Sequence, residues 1–363
     1  MRGTNCAETF ASVSALPPDA LALMDGANSV FAGRAWWDLV LAHAMPAGAG
    51  AAFVAIRSAG TLTALVPMLR NGGRLYSLTT PYSCEYTPLF AAGLDMSGRV
   101  GAMTAFARLC KPRGVVRLDA LPAEWDGLDN LEAGARQAGL RPVRFGHFGN
   151  WYEDVAGLDW SSYLQGRQGA LRETIRRRLR RAEKRTDAHF GLFTGSERID
   201  DAAEAFESVY RRSWKDAEPF PSFNAALIRT MAAQGLLRLG VWSIGADPVA
   251  VQVWVVKDGR AIVLKLAHDE AFKADSPGTV LTALMLRHLL DREHVTQIDF
   301  GRGDDPYKQG WAGLRRQRIG LLLANPRRLS GMAELTRHAL GQLRNAVRPG
   351  QPSPGPAPRG QSR

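Results

Sequence analysis

Alternation of apolar and polar residues with a period of two predicts several β-strands along the chain. In the second half of the chain this pattern covers residues 236–244, 248–256 and 260–267. From Pro277 onward the apolar residues instead recur with the spacing of an amphipathic helix. They are Val280, Leu281, Leu284, Met285 and Leu289. Residues 295–300 again read as a strand, so the predicted order is three strands, a helix and a strand.

The same order of elements is predicted earlier in the chain, which indicates an internal repeat. The earlier strands, helix and strand cover residues 52–56, 61–69, 74–79, 100–109 and 114–121. Ser97 before the first helix and Ser276 before the second lie 179 positions apart. Asp119 and Asp299, each in the last strand of its set, lie 180 positions apart. This nearly constant offset predicts two related units in tandem.

The repeat and the composition together predict the domain organisation. The chain has 363 residues, of which 45% are hydrophobic and 22% charged, enough to bury a large core in about two domains. We expect an N-terminal unit over residues 1–145 and a C-terminal unit over residues 146–330. A helix over residues 331–346 follows. The last residues, 347–363, are rich in Pro, Gly and Ser, which predicts a disordered tail.

Composition also limits the location and the partners of the protein. The sequence has no signal-peptide pattern, and no segment approaches the ~18 consecutive apolar residues of a membrane span, so we expect a cytoplasmic protein without a membrane span. Cys6, Cys84 and Cys110 show no paired spacing, which predicts reduced thiols, two of them buried, and no zinc site. The formal net charge of +11 favours anionic partners.

Much of the positive charge lies in one predicted helix, residues 171–185. Its apolar stripe is Leu171, Ile175, Leu179 and Ala182. The remaining surface carries Arg172, Arg176, Arg177, Arg180 and Arg181. These arginines suit the phosphates of a donor, an anionic acceptor or RNA, with Arg176 and Arg180 as candidate substrate contacts. A solvated helix face explains the pattern equally well.

Residues 276–279, Ser-Pro-Gly-Thr, are the candidate donor-binding segment. Ser276 suits a helix N-cap and Pro277 the first helical position, while Gly278 allows a ligand to approach the backbone. An uncovered helix N-terminus attracts phosphate through its free N–H groups and its dipole. Together with Thr279, these residues predict a phosphate-binding helix start.

The strand ending at Asp299 and the polar loop after it carry the candidate chemistry. Ile298 and Phe300 point to the other face of the strand, so Asp299 projects alone and either acts as a base or caps the turn over residues 301–303. The adjacent Asp304 and Asp305 lack a nearby histidine, which argues against a metal. The chain shows no serine-hydrolase, P-loop or Cys/His signature, and Trp214 and Trp254 read as structural residues.

Several motifs occur in a family-specific order. They are Asn150-Trp151-Tyr152, the basic helix 171–184, Lys265-Leu266-Ala267, Ser276-Pro277-Gly278, Asp299-Phe300-Gly301 and Tyr307-Lys308. In this order the chain resembles the GNAT acyltransferase superfamily, in its BioF2-like or CelD-type branch, which is related to the FemAB peptidyltransferases. The resemblance implies an α/β (α+β) protein of tandem GNAT-like units, each a mixed, mostly antiparallel sheet flanked by helices.

The resemblance also implies an activity, the transfer of an acyl group from an acyl-CoA such as acetyl-CoA to an amine. Lys308 aligns with the lysine that contacts the transferring acyl group in FemAB-type enzymes, which suits an oxyanion or donor-phosphate role; the alternative is an exposed lysine closing a loop. Tyr307 either protonates the leaving group or packs. Lys265 and Arg302 are candidate contacts for an anionic substrate, although a strand lysine often only extends its charge to solvent.

The usual glycine-rich donor loop of GNAT enzymes is absent, because residues 276–279 contain one glycine. Acyl-CoA is therefore one candidate donor, and aminoacyl-tRNA, the donor of FemAB-type relatives, is the other. A non-catalytic protein that binds nucleic acid or an anionic polymer is a third hypothesis. The CelD-type likeness associates the acceptor with polysaccharide or the cell envelope, and neither the acceptor nor the oligomeric state follows from the residues.

Overall fold

The computed structural model describes residues 5–347, and it describes the side chains only as far as Gly341. The tail predicted over residues 347–363 lies, apart from its first residue, outside the described residues.

The described part of the chain contains thirteen strands. They are β1 (Asn5–Phe10), β2 (Gly50–Ser58), β3 (Thr61–Asn71), β4 (Arg74–Ser77), β5 (Leu89–Phe90), β6 (Val115–Pro122), β7 (Arg141–Asp154), β8 (Ala188–Phe193), β9 (Leu237–Ile244), β10 (Asp247–Lys257), β11 (Arg260–His268), β12 (Gln297–Asp299) and β13 (Leu314–Ala324).

The same residues contain eleven α-helices. They are α1 (Pro18–Asp25), α2 (Arg34–His43), α3 (Met96–Cys110), α4 (Leu128–Gln137), α5 (Trp160–Gln165), α6 (Gly169–Glu183), α7 (Ile199–Arg211), α8 (Phe223–Ala233), α9 (Pro277–Asp291), α10 (Pro306–Trp311) and α11 (Leu329–Val347).

All thirteen strands form one mixed sheet in the order β1-β2-β3-β4-β6-β13-β7-β12-β11-β10-β9-β8, with β5 paired to β3. Two neighbouring pairs are parallel, β4 with β6 and β11 with β12, and the other described pairs are antiparallel. Along the chain, a long helix lies between the two strands of each parallel pair, α3 in the first pair and α9 in the second. Parallel neighbours need such a crossover connection. The fold is therefore the predicted pair of α/β units, each a mostly antiparallel sheet flanked by helices.

Strands from the two halves of the chain lie next to one another in the middle of the sheet. Strand β13, near the end of the chain, lies between β6 and β7 and pairs with both. Strand β7 pairs with β13 along residues 141–152 and then with β12 at its end, where Tyr152 lies opposite Asp299. The boundary proposed between residues 145 and 146 falls inside β7. The last strand of the chain therefore completes the sheet of the first unit.

Two hydrophobic clusters support this sheet. One includes most of the N-terminal unit and extends into the C-terminal half, because Phe223 of α8 packs edge-on against Trp36 of α2, with ring centroids 6.2 Å apart. The other lies under α6 and α9 and includes Ile175 and Leu281. Burial of this apolar surface is the main driving force for folding. The shared first cluster ties the two units together.

The strands predicted from alternation are present, with bounds that differ by a few residues. The strand predicted over residues 295–300 is shorter, Gln297–Asp299, because only three of its residues pair with β11. Helix α3 begins at Met96, so Ser97 lies within its first turn instead of before it. Cys84 and Cys110 are buried, Cys6 is exposed, and all three thiols are free, as predicted.

Candidate functional site

The parallel strands β11 and β12 separate and leave an opening between them, and the N-terminus of α9 lies near His268 at the far end of β11. Pairing between β11 and β12 ends at Ile262 and Asp299, and β11 continues to His268 without β12. Gly301 fills the opening with a left-handed backbone, φ 66°, and a side chain there would collide with the carbonyl oxygen of Val263. The glycine therefore allows the backbone after β12 to approach β11 closely at this edge.

The start of α9 is uncapped by its own side chains. Pro277 is the first helical residue, as predicted, but Ser276 has a left-handed backbone, φ 55°, and its hydroxyl makes no capping hydrogen bond. Ser276 is thus the N-cap residue, as predicted, but it lacks the side-chain hydrogen bond expected of an N-cap serine. Because the N–H groups of Gly278 and Thr279 belong to the first turn, they lack partners within the helix and point towards its open end. The side chain of His268 limits the space above Gly278, since a Cβ there would lie 3.3 Å from the His268 Nδ1.

The equivalent helix of the N-terminal unit differs at this point. Asp95 is the N-cap of α3, and its carboxylate accepts a hydrogen bond from the N–H of Gly98 at 2.7 Å. The side chain of Leu94 also lies against Gly98. A carboxylate at the helix start disfavours a second anion there by charge repulsion. Only the later of the two helix starts has the arrangement that suits a phosphate.

Asp299 is fully buried in a charged network. Its carboxylate pairs with Arg260 at 2.6 Å and with Arg316, and it accepts hydrogen bonds from Asn150 at 2.6 Å and from the N–H of Gly301 at 2.7 Å. The prediction that Asp299 projects alone is wrong, because the arginines come from β11 and β13. The contact with Gly301 is the turn-capping interaction that the sequence left open.

The charges around Asp299 determine its protonation. Burial alone would raise the pKa of this carboxyl group, but the attraction of Arg260 and Arg316 and the hydrogen bond from Asn150 outweigh that effect and hold the pKa far below its ordinary value. A carboxylate with such a low pKa is a weak proton acceptor. The geometry therefore favours a positioning role for Asp299 over a role as base.

Lys308 holds the loop after β12 in place. Its side chain is buried, and its ammonium group donates to the carbonyl oxygens of Arg302 at 2.6 Å and Gly303 at 3.3 Å. It also pairs with Asp305 at 3.0 Å. Three contacts occupy the three N–H donors of the ammonium group. The lysine is buried, so the exposure expected in the alternative interpretation is wrong, but it does close the loop, because in this conformation it fixes the backbone of residues 302–305.

The neighbours of Lys308 have separate contacts. Tyr307 is exposed in the first turn of α10. Asp304 binds Arg315 through two hydrogen bonds of 2.8 and 2.7 Å, so the two adjacent aspartates face different cations. Within residues 5–347, no group of three His, Cys, Asp or Glu side chains is placed to hold a metal ion.

Lys265 lies on the part of β11 that borders the opening, and the carboxylate of Glu218 balances its positive charge. Its ammonium group pairs with Glu218 and lies 4.3 Å from the centroid of the Tyr82 ring and 5.8 Å from that of Tyr210. The hydroxyl of Tyr82 donates to the same Glu218 carboxylate at 2.7 Å. Burial lowers the pKa of Lys265, and Glu218 opposes this shift. Lys265 is therefore part of a buried polar cluster instead of an open anion contact.

Sequence reasoning missed Glu218, Tyr82 and Tyr210. Tyr82 comes from the loop after β4 in the first unit, and Glu218 from the loop between α7 and α8 in the second. They are 136 residues apart, so no local spacing could have indicated the contact.

The loop between α7 and α8 also brings Trp214 and Lys215 to this region. Trp214 is half exposed, with its ring 4.4 Å from the ring of His268, whereas Trp254 is buried. Burial lowers the pKa of Lys215, and the positive charge of Lys308 lowers it further. The negative charges of Asp305 and Glu218 act in the opposite direction. Lys215 thus belongs to the same set of charges as Lys308 and Glu218.

Arg302 faces away from the opening. Its guanidinium lies 4.3 Å from the centroid of the Phe148 ring and 3.3 Å from His147 Nε2, both on β7. It stacks on the sheet between the units, so the structure does not bring it together with Lys265.

Arg176 and Arg180 lie on the exposed face of α6, while Ile175 and Leu179 are buried as predicted. The helix contacts the segment just before the donor-binding residues, through Arg178 to the carbonyl of Ala274 at 3.1 Å and Arg181 to Asp275 at 3.0 Å. Arg178 and Arg181 therefore lie next to the segment that leads into α9, whereas Arg180 pairs with Glu173.

Comparison with known proteins identifies the class of this fold. Residues 169–309 match the family model of the acetyltransferase (GNAT) domain. This region includes the basic helix, the candidate donor-binding segment 276–279 and Lys308. None of the curated proteins matches the chain.

Solved structures share the fold over most of the chain. The C-terminal domain (DUF2156) of a putative lysylphosphatidylglycerol synthetase from Agrobacterium fabrum is 12% identical with a TM-score of 0.55, covering 89% of this chain and 95% of that one. A crystal structure of FemX is 11% identical with a TM-score of 0.60, covering 93% and 99%. A tandem GNAT protein from the clavulanic acid biosynthesis pathway is 14% identical with a TM-score of 0.50, covering 89% and 100%. The chain therefore has the tandem GNAT fold.

Proposed function

We propose that this protein is an N-acyltransferase that moves an acyl group from an acyl-CoA thioester, such as acetyl-CoA, to an amine. The uncapped start of α9 at the opening between β11 and β12 is the observation that supports this most strongly. A helix N-terminus with free N–H groups binds phosphate, and coenzyme A carries a pyrophosphate. The match of residues 169–309 to a GNAT acetyltransferase domain agrees with the proposal. The BioF2-like or CelD-type branch, and a cytoplasmic site of action, are part of the same proposal.

In the proposed reaction the neutral amine attacks the thioester carbonyl carbon, a C–N bond forms and the C–S bond breaks. The amine loses one proton and the departing thiolate gains one. Lys215 is our candidate for the proton acceptor, because burial lowers its pKa towards neutrality and it lies in the charge cluster with Asp305 and Lys308. Tyr307 is the candidate donor to the thiolate.

The acceptor side of the proposed site is the cluster of Tyr82, Glu218 and Lys265. An acceptor amine that binds here shares the Glu218 carboxylate and the Tyr82 ring with Lys265, since cations bind to aromatic rings and carboxylates. For Lys308 to contact the developing oxyanion, one of its backbone contacts would have to be exchanged for the substrate. We therefore assign Lys308 first to holding the loop and second to the oxyanion.

Release of free thiol from a panel of acyl-CoAs, with and without candidate amines, tests the proposal. We expect amine-dependent release by the wild-type protein and a loss of about a hundredfold in kcat for Lys215→Met. Lys184→Met, at the exposed end of α6, is the matched control. Absence of thiol release from every acyl-CoA and amine pair would overturn the proposal.

The position of α6 favours aminoacyl-tRNA as a second candidate donor. Arg178 and Arg181 of this helix contact the segment that leads into residues 276–279, and Arg176 and Arg180 add exposed positive charge on the same helix. A larger polyanion would contact both surfaces. Binding of aminoacylated tRNA that weakens steeply with salt, together with transfer to an amine and no turnover of acyl-CoA, would support this donor. If tRNA is the donor, the variant Arg176→Glu with Arg180→Glu should bind it more weakly. If acyl-CoA is the donor, the same variant should release thiol as the wild type does.

A further inference from the structure

Helix α11 has apolar residues on two opposite faces. Glu334, Leu335 and His338 turn towards the sheet, where His338 lies 5.5 Å from the ring of Phe145. Leu329 is 85%, Met332 50% and Leu340 52% exposed.

The exposed apolar residues form one stripe. At 100° per residue, Leu329, Met332, Ala333 and Leu340 project within about 100° of one another, on the side opposite His338. A surface helix normally has polar residues on its outer face. Single exposed apolar residues are common, but a contiguous stripe indicates a binding surface.

Cations surround the start of this stripe. Arg327 and Arg328 directly precede α11, and both are exposed. The turn after α3 lies beside them, since Asn325 donates to the carbonyl of Lys111 at 3.1 Å and its N–H donates to Gly114 at 2.7 Å. That turn carries Lys111 and the exposed Arg113.

These four cations, Lys111, Arg113, Arg327 and Arg328, have no ion pair with a carboxylate among the residues that the structure describes. Most of the other arginines near the surface are paired, for example Arg99 with Asp126 at 2.7 Å. Leu109, at the end of α3, adds another exposed apolar side chain next to the same turn. The surface is therefore apolar in its centre and cationic at one end.

We propose that this surface, the α11 patch, docks on a membrane whose lipids are anionic. An interfacial helix buries its apolar face at the boundary of the acyl chains while basic residues bind the headgroups, and the patch supplies both groups. Two copies meeting through the patch about a two-fold axis would bring the four unpaired cations close to one another, which disfavours a dimer. RNA would use the cations but leave the apolar stripe exposed. This inference does not depend on the proposed function.

Co-sedimentation of the full chain with vesicles tests the proposal. We expect binding to phosphatidylcholine vesicles that contain about one third phosphatidylglycerol, and at least about tenfold weaker binding to pure phosphatidylcholine. Leu329→Asp with Leu340→Asp should reduce binding to the anionic vesicles by about tenfold or more, as should Arg327→Glu with Arg328→Glu. All four positions are exposed, so the thermal melting temperature should stay that of the wild type.

Met96→Asp is the matched control, because Met96 is 76% exposed and lies at the start of α3, at the opposite end of that helix from the turn that carries Lys111 and Arg113. It should bind the anionic vesicles as the wild type does. Equal sedimentation of wild type and the Leu329/Leu340 variant would overturn the proposal. So would a concentration-dependent dimer in light scattering that the same variant abolishes, or RNA binding that removes the protein from the vesicles through these residues.

Discussion

Arg260 binds Asp299 across the parallel strand pair at 2.6 Å, and its other contacts reach the N-terminal unit. The same guanidinium donates to Glu85 at 2.9 Å, and Glu85 in turn pairs with Arg318 on β13 at 3.0 Å. Asp299 and Glu85 are both buried. The network therefore joins the proposed donor edge of one unit to the loop after β4 in the other.

Asp299→Asn should destabilise the protein without removing a catalytic group. The substitution leaves Arg316 without its close carboxylate and Arg260 with Glu85 as its remaining one. Removing one partner of a buried ion pair typically costs about 3 to 5 kcal/mol in the free energy of unfolding. Urea unfolding measures this loss. Asp201→Asn, whose aspartate is exposed beside Arg198, is the control and should change stability little. A stable Asp299→Asn protein that has lost activity would instead support the role as base.

Stability should fall as the pH drops below about 4, the ordinary carboxyl pKa. The pKa of Asp299 is lowered in the folded state, and so is that of Glu85, where burial opposes the effect of Arg260 and Arg318. The unfolded chain then binds more protons than the folded chain, so the contribution of these groups is complete above the unfolded pKa and is lost as they become protonated. Urea unfolding measured between about pH 3 and pH 7 checks this dependence. Asp299→Asn should flatten the acid side of the curve, and an unchanged slope would contradict the assignment.

Thr279→Glu should weaken donor binding while leaving the fold intact. An acidic residue in the first turn of a helix interacts favourably with the dipole, so the free energy of unfolding should stay the same or rise slightly. The added charge repels a phosphate at the same place, so the KM for the acyl donor should rise by about tenfold. The KM for the amine should not change. A donor KM equal to that of the wild type would exclude the start of α9 as the phosphate site.

Lys308→Met should lower both stability and activity. It leaves the carbonyls of Arg302 and Gly303 without their buried donor, at a cost of about 2 kcal/mol in the free energy of unfolding. Asp305→Asn is the comparison, because it removes only the exposed partner and should cost less than about 1 kcal/mol. If Lys308→Met abolishes turnover at full stability, the lysine contacts the reacting group and does not merely hold the loop.

The three thiols should react very differently. Cys6 is exposed, whereas Cys84 and Cys110 are buried, and burial raises the pKa of Cys84 to about 12 and that of Cys110 further. The thiolate is the reactive form, so a disulfide reagent should modify one thiol per native chain. All three should react in denaturant. Rapid modification of two or more native thiols would mean that the core around Cys84 or Cys110 opens readily.

Periodicity was sufficient for the tandem repeat because β2, β3, β9 and β10 are buried strands joined by short turns. It failed for β13, whose first half, Leu314-Arg315-Arg316-Gln317-Arg318, looks like a polar loop. This part of the strand is rich in arginine because two of the arginines pair with buried carboxylates. Arg316 pairs with Asp299, and Arg318 pairs with Glu85.

The candidate site was predictable only where it is local. Residues 276–279 and Lys308 lie within short motifs, so local patterns were enough to select them as candidates. Glu218 and Tyr82 meet through the packing of two loops from different units, and neither loop has a pattern that indicates the other. The role of Asp299 likewise depends on arginines from two other strands, which no spacing in the sequence reveals.

The position of β13 affects the order in which the protein can fold during synthesis. Until residues 314–324 have left the ribosome, β6 lacks its neighbour and presents unpaired backbone groups at an open edge. Nearly the whole chain must therefore be made before the first unit is complete. Such an edge invites pairing with other chains, so we expect the nascent protein to depend on protection until its last strand arrives.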